Sequence, residues 1–248
     1  MEKKTRHDIP GCDPVVLYEY ECTDSTNRVL LDMAREGCPS GTVVWAHRQE
    51  SGRGRLGRSF SSPEGGIYIS LLFPLEKDGI CLTAMTGVAV KRTISEVCNK
   101  DCGIKWVNDI IYKGKKVCGI LAQATSGKVV MGIGINYTTD MLQLPEDVRE
   151  IATSLYSSAA DAPPMEVFVN RLVYNIYSLY YGRDENWLED YKSSSTIVGN
   201  KVKIMQAGKV TGEGTAVSID DSCFLHVVDM DGKETVLSTG EVSIRIQR

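Results

Sequence analysis

The sequence predicts an α+β domain followed by a small all-β domain. Up to about residue 195, short β-branched runs alternate with helical segments, of which the two longest lie near residues 80–98 and 165–181. Beyond that point the chain changes to short strands separated by Gly or Asp-Gly turns, a spacing typical of a small β-barrel. We therefore expect one domain at residues 1–195 and a second at residues 196–248.

The individual elements follow from local patterns of apolar residues and turn residues. The expected order is a strand at 15–20, a helix from Asp24 to Gly37, strands at 41–48 and 66–73, a helix at 80–98, strands at 103–107 and 110–112, a hairpin of strands at 116–124 and 129–137, helices at 165–181 and 185–191, and strands at 201–205, 209–219, 223–229, 234–238 and 241–246. A Ser-Gly pair between two β-branched runs predicts the hairpin turn.

Composition, charge and cysteine usage limit the class of protein. The chain of 248 residues is 42% hydrophobic and 24% charged, which is ordinary for a globular protein that buries a core. Its net charge of −4 argues against a general nucleic-acid binder, which normally carries a basic surface. The 8 cysteines form no C-x-x-C pair, which favours reduced buried thiols over disulfides or zinc. Without a signal peptide or a membrane-spanning run, we expect a cytoplasmic protein that does not contact membranes.

A loop rich in glycine and arginine joins the strands at 41–48 and 66–73. Gly52 to Gly57 fit the pattern G-x-G-x-x-G, and Gly52 to Ser59 resemble a P-loop with Arg58 in place of the lysine. Both nucleotide-binding motifs require a helix directly after the loop, whereas here a proline, two glycines and a strand follow. A kinase glycine loop does join two strands, but no kinase catalytic motif comes later in the chain. The context therefore rejects all three motifs.

The residue types in this loop still indicate an anionic ligand. Glycines let the backbone approach a ligand closely, and the guanidinium groups of Arg53, Arg55 and Arg58 are planar donors suited to carboxylate or phosphate. A solvated basic turn is the alternative, although such a turn gains nothing from regular Gly/Arg alternation. We predict an anion-binding loop.

Two further segments carry polar residues suited to a ligand. Asn108 and Asp109 form a turn between short apolar strands, which is suited to orient a lysine or to hold Mg²⁺ through an oxygen ligand. An ion pair of Lys105 with Asp109 fits the same pattern. At a later strand end, residues 132–136 combine close backbone approach with an amide that can read the edge of a base.

Six motifs in this order and spacing resemble those of the biotin–protein ligases. They are DSTN at 24–27, GRGRLGR at 52–58, KWVNDI at 105–110, KKVCGI at 115–120, GIGIN at 132–136 and ATSL at 152–155. The resemblance runs from about residue 20 to the C-terminus, and one departure is Val107, where the family usually has proline. It implies a class II aminoacyl-tRNA synthetase-like catalytic domain with an SH3-like C-terminal barrel. Only 23 residues precede Asp24, so the expectation is a monofunctional ligase that lacks the DNA-binding domain of repressor-type ligases and does not bind DNA.

The resemblance also implies a reaction in two steps. Biotin and MgATP give biotinoyl-5′-AMP and pyrophosphate, and a lysine of a biotin carrier protein domain then attacks the mixed anhydride. Mg²⁺ is the implied cofactor, and the family's sheet-edge dimers make a homodimer a further expectation. Because two anions must be brought together, catalysis is expected to consist mainly of positioning and charge neutralisation.

The resemblance also implies the site residues. The implied biotin contacts are Ser25, Thr26, Gln49, Gly52, Arg53, Lys116 and Gly119. The implied ATP and adenylate contacts are Arg55, Arg58, Phe60, Asn136 and Arg245. The implied catalytic groups are Lys116, Arg53, Arg55 and Lys105, and Asp109 is the implied ligand of Mg²⁺. Local sequence leaves alternatives open, since Ser25 also fits a helix N-cap and Phe60 also fits the core.

Two other functions compete with this interpretation. A lipoate–protein ligase would share the fold and the chemistry, although lipoate lacks a ureido edge and the usual glycine/arginine arrangement differs. A nucleic-acid-binding protein that uses the Arg/Gly loop is disfavoured by the acidic composition. Within the ligase interpretation, we expect Lys116→Ala to nearly abolish adenylate formation without unfolding the protein, and Arg53→Gly to weaken retention of the adenylate.

Overall fold

The computed structural model describes residues 2–7, 15–75, 79–182, 184–206, 208–238 and 242–246, and only the backbone of the first and last of these ranges. Its strands are β1 (Glu2–His7), β2 (Val15–Tyr20), β3 (Thr42–Ala46), β4 (Gly66–Pro74), β5 (Gly103–Lys105), β6 (Asp109–Tyr112), β7 (Lys115–Thr125), β8 (Lys128–Asn136), β9 (Lys201–Gln206), β10 (Lys209–Ile219), β11 (Leu225–Val228), β12 (Glu234–Leu237) and β13 (Val242–Ile246). Its α-helices are α1 (Thr26–Arg35), α2 (Gly79–Cys98), α3 (Glu146–Ile151), α4 (Met165–Tyr180) and α5 (Trp187–Ser193).

The strands form two sheets. The larger has eight strands in the order β1-β2-β3-β4-β8-β7-β6-β5, in which β2 and β3 are parallel and the other neighbours are antiparallel. The smaller has five antiparallel strands in the order β12-β11-β10-β9-β13. The expected mixture of helices and strands is confirmed.

Helices cover both faces of the large sheet, and the alternation of side chains along β4 shows how. Ile67, Ile69 and Leu71 belong to the main core, which also contains apolar residues of α2 and α4. Leu72 points to the opposite face and packs with Leu30 of α1 in a second cluster. Because successive strand residues face opposite sides, the even-numbered side chains of β4 face α1.

Helices α2 and α4 pack together through apolar side chains and one polar cluster. Asn175 Nδ2 donates to Thr93 Oγ1 at 3.0 Å and to Glu96 Oε2 at 2.9 Å, and Arg171 Nε donates to the same carboxylate oxygen at 2.6 Å.

Although α2 is 20 residues long, no helix in the described ranges is both long enough and apolar enough to cross a membrane.

The small sheet packs against the turn between β5 and β6. Trp106 Nε1 donates to the carbonyl of Cys223 at 2.8 Å, and Cys223 is fully buried. The segment that leads into β9 is anchored along β5, since Ser195 pairs with Ile104 and the Thr196 N–H donates to the Ile104 carbonyl at 2.9 Å. Apolar residues of both sheets therefore join one continuous core.

The predicted elements and their order are confirmed, with differences that have local causes. The strand expected at 103–107 ends at Lys105, because Trp106 and Val107 enter the turn that packs against the small sheet. Neither β1 nor α3 is predicted. The six polar and charged residues of β1 show no period-two alternation, and the six residues of α3 are too few for a helical repeat of apolar positions.

The described cysteines are free thiols. Cys98, Cys118 and Cys223 are buried, as their apolar surroundings predict, and Cys81 is partly buried. Burial raises the pKa of Cys102 to about 12. This thiol is therefore protonated at neutral pH and behaves as a small hydrophobic side chain.

A histidine in β11 should make the stability of the small sheet depend on pH. His226 Nδ1 lies 2.6 Å from Glu234 Oε1, and its Nε2 lies 3.1 Å from Asp220 Oδ2. These hydrogen bonds raise the pKa of His226 above its usual value of 6.5. Their stabilisation is complete below that unfolded-state value and is lost as the pH rises through the higher folded-state pKa. We expect the free energy of unfolding to fall slightly above pH 6.5, and His226→Gln to flatten this fall in denaturant titrations at several pH values. If the unfolding free energy of the variant falls with pH as steeply as that of the wild type, the hydrogen bonds of His226 to Glu234 and Asp220 do not cause the fall.

Candidate functional site

A cavity of about 180 Å³ lies on the face of the large sheet that carries α1. Its walls come from the first turn of α1, the segment 49–60, the turn at 108–109 and strands β7 and β8. These segments meet because β8 lies between β4 and β7, and because α1 packs across β4 and β8. One cavity thus gathers residues from widely separated parts of the chain.

One wall of the cavity is a hydrogen-bonded network built on Gln49. Its Oε1 accepts from the Thr26 N–H at 2.8 Å and from Thr26 Oγ1 at 3.1 Å, and its Nε2 donates to Ser62 Oγ at 2.8 Å. A backbone N–H can only donate, so the carbonyl end of the Gln49 amide must face Thr26. The network therefore fixes which end of the amide is oxygen and which is nitrogen.

Ser25 occupies the N-cap position of α1 without capping the helix through its side chain. Its backbone is extended, with φ −161° and ψ 126°, and its carbonyl accepts from the Val29 N–H at 3.0 Å. Its hydroxyl accepts nothing from the first turn, where Gln49 takes the Thr26 N–H instead. The N-cap interpretation is thus right about position and wrong about the hydrogen bond, and the buried hydroxyl lines the cavity.

A second polar chain lies under the first turn of α1. Asn27 Nδ2 donates to Gln123 Oε1 at 2.7 Å, and Asn27 Oδ1 accepts from Ser70 Oγ at 2.6 Å. Ser70 is fully buried, and its Oγ also lies 2.8 Å from Thr26 Oγ1. Because buried polar groups are costly unless they are paired, these contacts hold the polar wall in one arrangement.

Arg55 brings a half-buried cation into the cavity. Its Nη1 donates to Asn108 Oδ1 at 2.7 Å. Asn108 is itself held to β7, since its Nδ2 donates to the Ile120 carbonyl at 2.8 Å and its own carbonyl accepts from the Ile120 N–H at 3.0 Å. Burial lowers the pKa of Arg55, and the Asp109 carboxylate opposes this effect. Arginine titrates only at very high pH, so Arg55 stays charged at neutral pH.

Lys116 adds a second cation to the cavity wall. Its Nζ lies 2.6 Å from Asp109 Oδ1 and 5.9 Å from the centre of the Phe60 ring. The first distance is that of an ion pair, but the two groups are not aligned as a hydrogen bond, and Asp109 Oδ1 has no hydrogen-bond partner among the described residues. Lys116 therefore sits between a carboxylate and an aromatic ring, with its ammonium group available to a further anion.

Residues 19–140 match the Biotin/lipoate A/B protein ligase family. The biotin–acetyl-CoA-carboxylase ligase of Mycobacterium tuberculosis is 32% identical over 233 residues, which cover 89% of this chain and 85% of that relative. This chain belongs to the biotin/lipoate A/B protein ligase family.

Another sequence relative and two solved structures are similar to this ligase family member. The bifunctional ligase/repressor BirA of Bacillus subtilis is 36% identical over 155 residues, which span 58% of this chain and 47% of that longer protein. A biotin protein ligase from Aquifex aeolicus, solved with biotin and ATP, is 28% identical with a TM-score of 0.80 and covers 93% of this chain and 99% of its own. One from Leishmania major, solved with biotinyl-5-AMP, is 25% identical with a TM-score of 0.64 and covers 92% and 100%. The mixed fold matches that of biotin protein ligases.

Most of the site residues predicted for this ligase family member meet at the cavity. Those that line it are Ser25, Thr26, Gln49, Arg53, Arg55, Arg58, Phe60, Asp109, Lys116 and Gly119. The side chains of Arg53 and Arg58 are exposed. Gly52 is buried at the base of the loop, where a Cβ atom would lie 2.3 Å from the Phe60 carbonyl oxygen.

Gly52 and two further predicted residues, Lys105 and Asn136, are not part of the lining. Lys105 lies in β5, opposite Asp109 in the β5–β6 register, and does not reach the cavity wall. Asn136 is buried at the end of β8, where its Nδ2 donates to the Thr153 carbonyl at 3.0 Å and its Oδ1 has no partner within the described ranges. Arg245 lies in β13, and its side chain is outside the described residues.

Several polar residues that complete the site are not predicted from the sequence. Asn27 lines the cavity directly beside the predicted Thr26, which is the available signal. Asn108 belongs to the predicted polar turn, but its contact with Arg55 is not predicted. Ser62 and Ser70 lie one step further out, where they bond to residues of the lining. No signal identified them, because a serine in a polar loop or within an apolar strand is equally common without a role.

Glycines in β8 leave room for side chains that pack closely against the face of the sheet. A Cβ atom on Gly134 would lie 2.5 Å from Phe60 Cε1, and one on Gly132 would lie 2.0 Å from Asn27 Oδ1. Real Cβ atoms do not approach other atoms this closely. The repeated glycine in an apolar strand is therefore a signal of close packing, as expected for glycine inside a strand.

Replacing the glycine under Asn27 should damage both the fold and the cavity. Gly132→Ala is expected to lower the free energy of unfolding by about 1–3 kcal/mol, because the added methyl group must displace Asn27. Gly87→Ala is the matched control, since its methyl group would meet Ile104 at an ordinary 3.7 Å and helix α2 favours alanine. Chemical unfolding measures both variants, and wild-type stability in Gly132→Ala would contradict this packing.

Proposed function

We propose that this protein activates biotin as biotinoyl-5′-AMP and transfers it to a lysine of a biotin carrier protein domain. The observation that carries the proposal is the composition of one cavity, in which the polar network of Gln49 and Thr26 faces the same space as Arg55 and Lys116. A ligand for this space needs a hydrogen-bonding head and an anionic tail. Biotin has both, and the relatives named above are biotin ligases.

The polar network suits the ureido ring of biotin. Ser25 offers a buried hydroxyl, and Gln49 offers the second N–H of its oriented amide. A buried ureido edge must be paired to be stable, so these groups favour a ligand that carries such an edge over one that lacks it. The backbone at Gly52 and Gly119 adds close approach without side-chain bulk.

The cations suit the chemistry of adenylate formation. The biotin carboxylate must approach the α-phosphate of ATP, and both groups are anions. Lys116 and Arg55 are positioned to neutralise the charge that accumulates there, in a partly buried site where such interactions are stronger than in water. Arg53, Arg58 and Lys105 lie further out, where we expect them to attract the phosphates rather than to contact the reacting atoms. The carrier lysine supplies the nucleophile in the second step.

The residues around Asp109 fit a bound Mg²⁺ ion. The described residues contain no cluster of three or more His, Cys, Asp or Glu side chains that could hold a metal ion. A nucleotide-bound Mg²⁺ ion normally needs only one or two carboxylates, with phosphate oxygens and waters as its other ligands. Asp109 would hold the ion through its carboxylate, whose buried Oδ1 also forms the ion pair with Lys116 at 2.6 Å. When bound, Mg²⁺ neutralises phosphate charge.

The adenine end is assigned to Phe60, Asn136 and Arg245. The Phe60 ring packs beside Gly134, next to the strand that ends at Asn136. The unpartnered Oδ1 of Asn136 is an acceptor that suits the amino group of adenine.

We further propose a class II synthetase-like domain at 1–195 and an SH3-like barrel at 196–248. We also propose that the protein is cytoplasmic and forms homodimers. Given its net charge of −4, we propose that it does not bind DNA.

Isothermal titration with biotin and with lipoate tests the choice of substrate. We expect micromolar or tighter binding of biotin, which Gln49→Ala weakens, and no measurable binding of lipoate, which has no ureido edge. Preferential binding of lipoate would replace this proposal with a lipoate–protein ligase. If the protein binds neither biotin nor lipoate but binds DNA or RNA with an affinity that falls with salt, a nucleic-acid-binding function would be favoured.

A further inference from the structure

Ser62 lies behind the cavity, at the point where the arginine loop closes. The residue is 5% exposed. Its hydroxyl accepts from Gln49 Nε2 at 2.8 Å and donates to the Phe60 carbonyl at 2.9 Å. Its backbone carbonyl accepts from the Gln49 N–H at 3.0 Å. One small side chain thus connects the glutamine of the polar wall to the aromatic residue that follows the loop.

The surrounding backbone is built around this hydroxyl. The Phe60 N–H donates to the Gly52 carbonyl at 2.8 Å, which joins the two ends of the arginine loop. A Cβ atom on Gly52 would lie 2.4 Å from Ser62 Oγ, so only glycine leaves space for the hydroxyl at this crossing. The loop closure and the position of Ser62 therefore depend on each other.

The direction of the hydrogen bonds fixes what Gln49 can offer a ligand. Gln49 Oε1 already accepts two hydrogen bonds from Thr26. The single proton of the Ser62 hydroxyl goes to the Phe60 carbonyl, so the hydroxyl must accept from Gln49. The amide nitrogen has one further N–H, and this donor is the group that Gln49 can direct at the ligand.

We propose that Ser62 is a positioning residue for biotin recognition, which holds the Gln49 amide so that its second N–H meets the ureido oxygen. The inference rests on the proposed function and adds a residue to it. Ser62 does not line the cavity, so its effect on biotin passes through Gln49. Removing the Ser62 hydroxyl removes its hydrogen bonds to Gln49 Nε2 and to the Phe60 carbonyl. The Gln49 amide is then no longer held in one orientation from the nitrogen side.

Steady-state kinetics of adenylate formation test the role of Ser62. We expect Ser62→Ala to raise KM for biotin about three- to tenfold, the size of effect expected for one hydrogen bond. Both kcat and KM for ATP should change less than KM for biotin. Ser61→Ala is the matched control, since Ser61 is the adjacent serine and makes no hydrogen bond to Gln49 among the described contacts; its KM for biotin should equal that of the wild type.

A double-mutant cycle separates positioning from a general structural role. In a Gln49→Ala background, Ser62→Ala should leave KM for biotin unchanged, because the residue through which it acts is gone. Additive effects, or an unchanged KM in the single variant, would overturn the inference while the proposed function stands. A wild-type protein that forms no adenylate from biotin would overturn both. If Ser62→Ala does not fold, Ser62→Cys, which keeps the shape and weakens the acceptor, carries the same expectation.

Discussion

Lys116→Ala is expected to slow biotinoyl-5′-AMP formation by about 10²–10³-fold, the range measured when one preorganised charge-stabilising donor is removed from an active site. The ammonium group lies beside Asp109 and Phe60 on the cavity wall, where no other described lysine is placed. Without it, the approach of the biotin carboxylate to the α-phosphate lacks its nearest neutralising charge. Release of pyrophosphate from ATP in the presence of biotin measures the rate.

Lys115→Ala controls for the loss of a positive charge at this strand end. Lys115 is the adjacent residue, is exposed, and donates to the Arg149 carbonyl at 3.2 Å. Its replacement should leave adenylate formation close to the wild-type rate. The side chain of Lys116 is 30% exposed and is not among the residues of the hydrophobic core, so the melting temperature of Lys116→Ala should stay near that of the wild type. Similar rates in the two lysine variants would remove Lys116 from the site.

Arg55→Ala is expected to lower adenylate formation about tenfold to a hundredfold and to release the adenylate into solution. Arg55 is half-buried, and its guanidinium is aimed by Asn108, which is itself fixed to β7. This side chain is therefore held in place before a ligand arrives. Its loss removes a charge from the cavity and a contact that closes the loop over the product. Chromatography of the reaction mixture separates bound from free biotinoyl-5′-AMP.

Arg53→Ala provides the comparison within the same loop. Arg53 lines the cavity but has an exposed side chain, and its backbone pairs with Ser59. Solvent screens an exposed charge more strongly than a buried one, so the effect on retention should be smaller than that of Arg55→Ala. The sequence motif gives the two arginines equal weight, and the burial of Arg55 distinguishes them. A larger loss of retained adenylate in Arg53→Ala would contradict this ranking.

The arginine loop illustrates what local sequence can and cannot predict. Its glycines and arginines indicate an anion site, and the strand after it excludes the helix-dependent nucleotide motifs. The local pattern does not reveal that Asn108, more than 50 residues later, orients Arg55. This contact depends on the pairing of β6 with β7 and of β7 with β8, and long-range pairing is not encoded in the spacing of nearby residues.

Buried polar partners are the other part that the sequence leaves open. Ser25 is predicted from a motif and Gln49 from the family resemblance just before one, whereas Ser62 and Ser70 bond to Gln49 and Asn27 from segments without a motif. Small polar residues such as serine occur in loops and strands for many reasons. Their role becomes visible only when the hydrogen bonds of Gln49 and Asn27 are followed to their ends.

The most direct test of biotin activation and transfer follows ATP labelled at the α-phosphate. With biotin, ATP and Mg²⁺, the protein should form a labelled biotinoyl-5′-AMP that is absent when biotin is omitted. Addition of a biotin carrier protein domain should then release labelled AMP and leave biotin on a carrier lysine. Label incorporation that is independent of biotin, or an adenylate that forms with lipoate and not with biotin, would contradict the account.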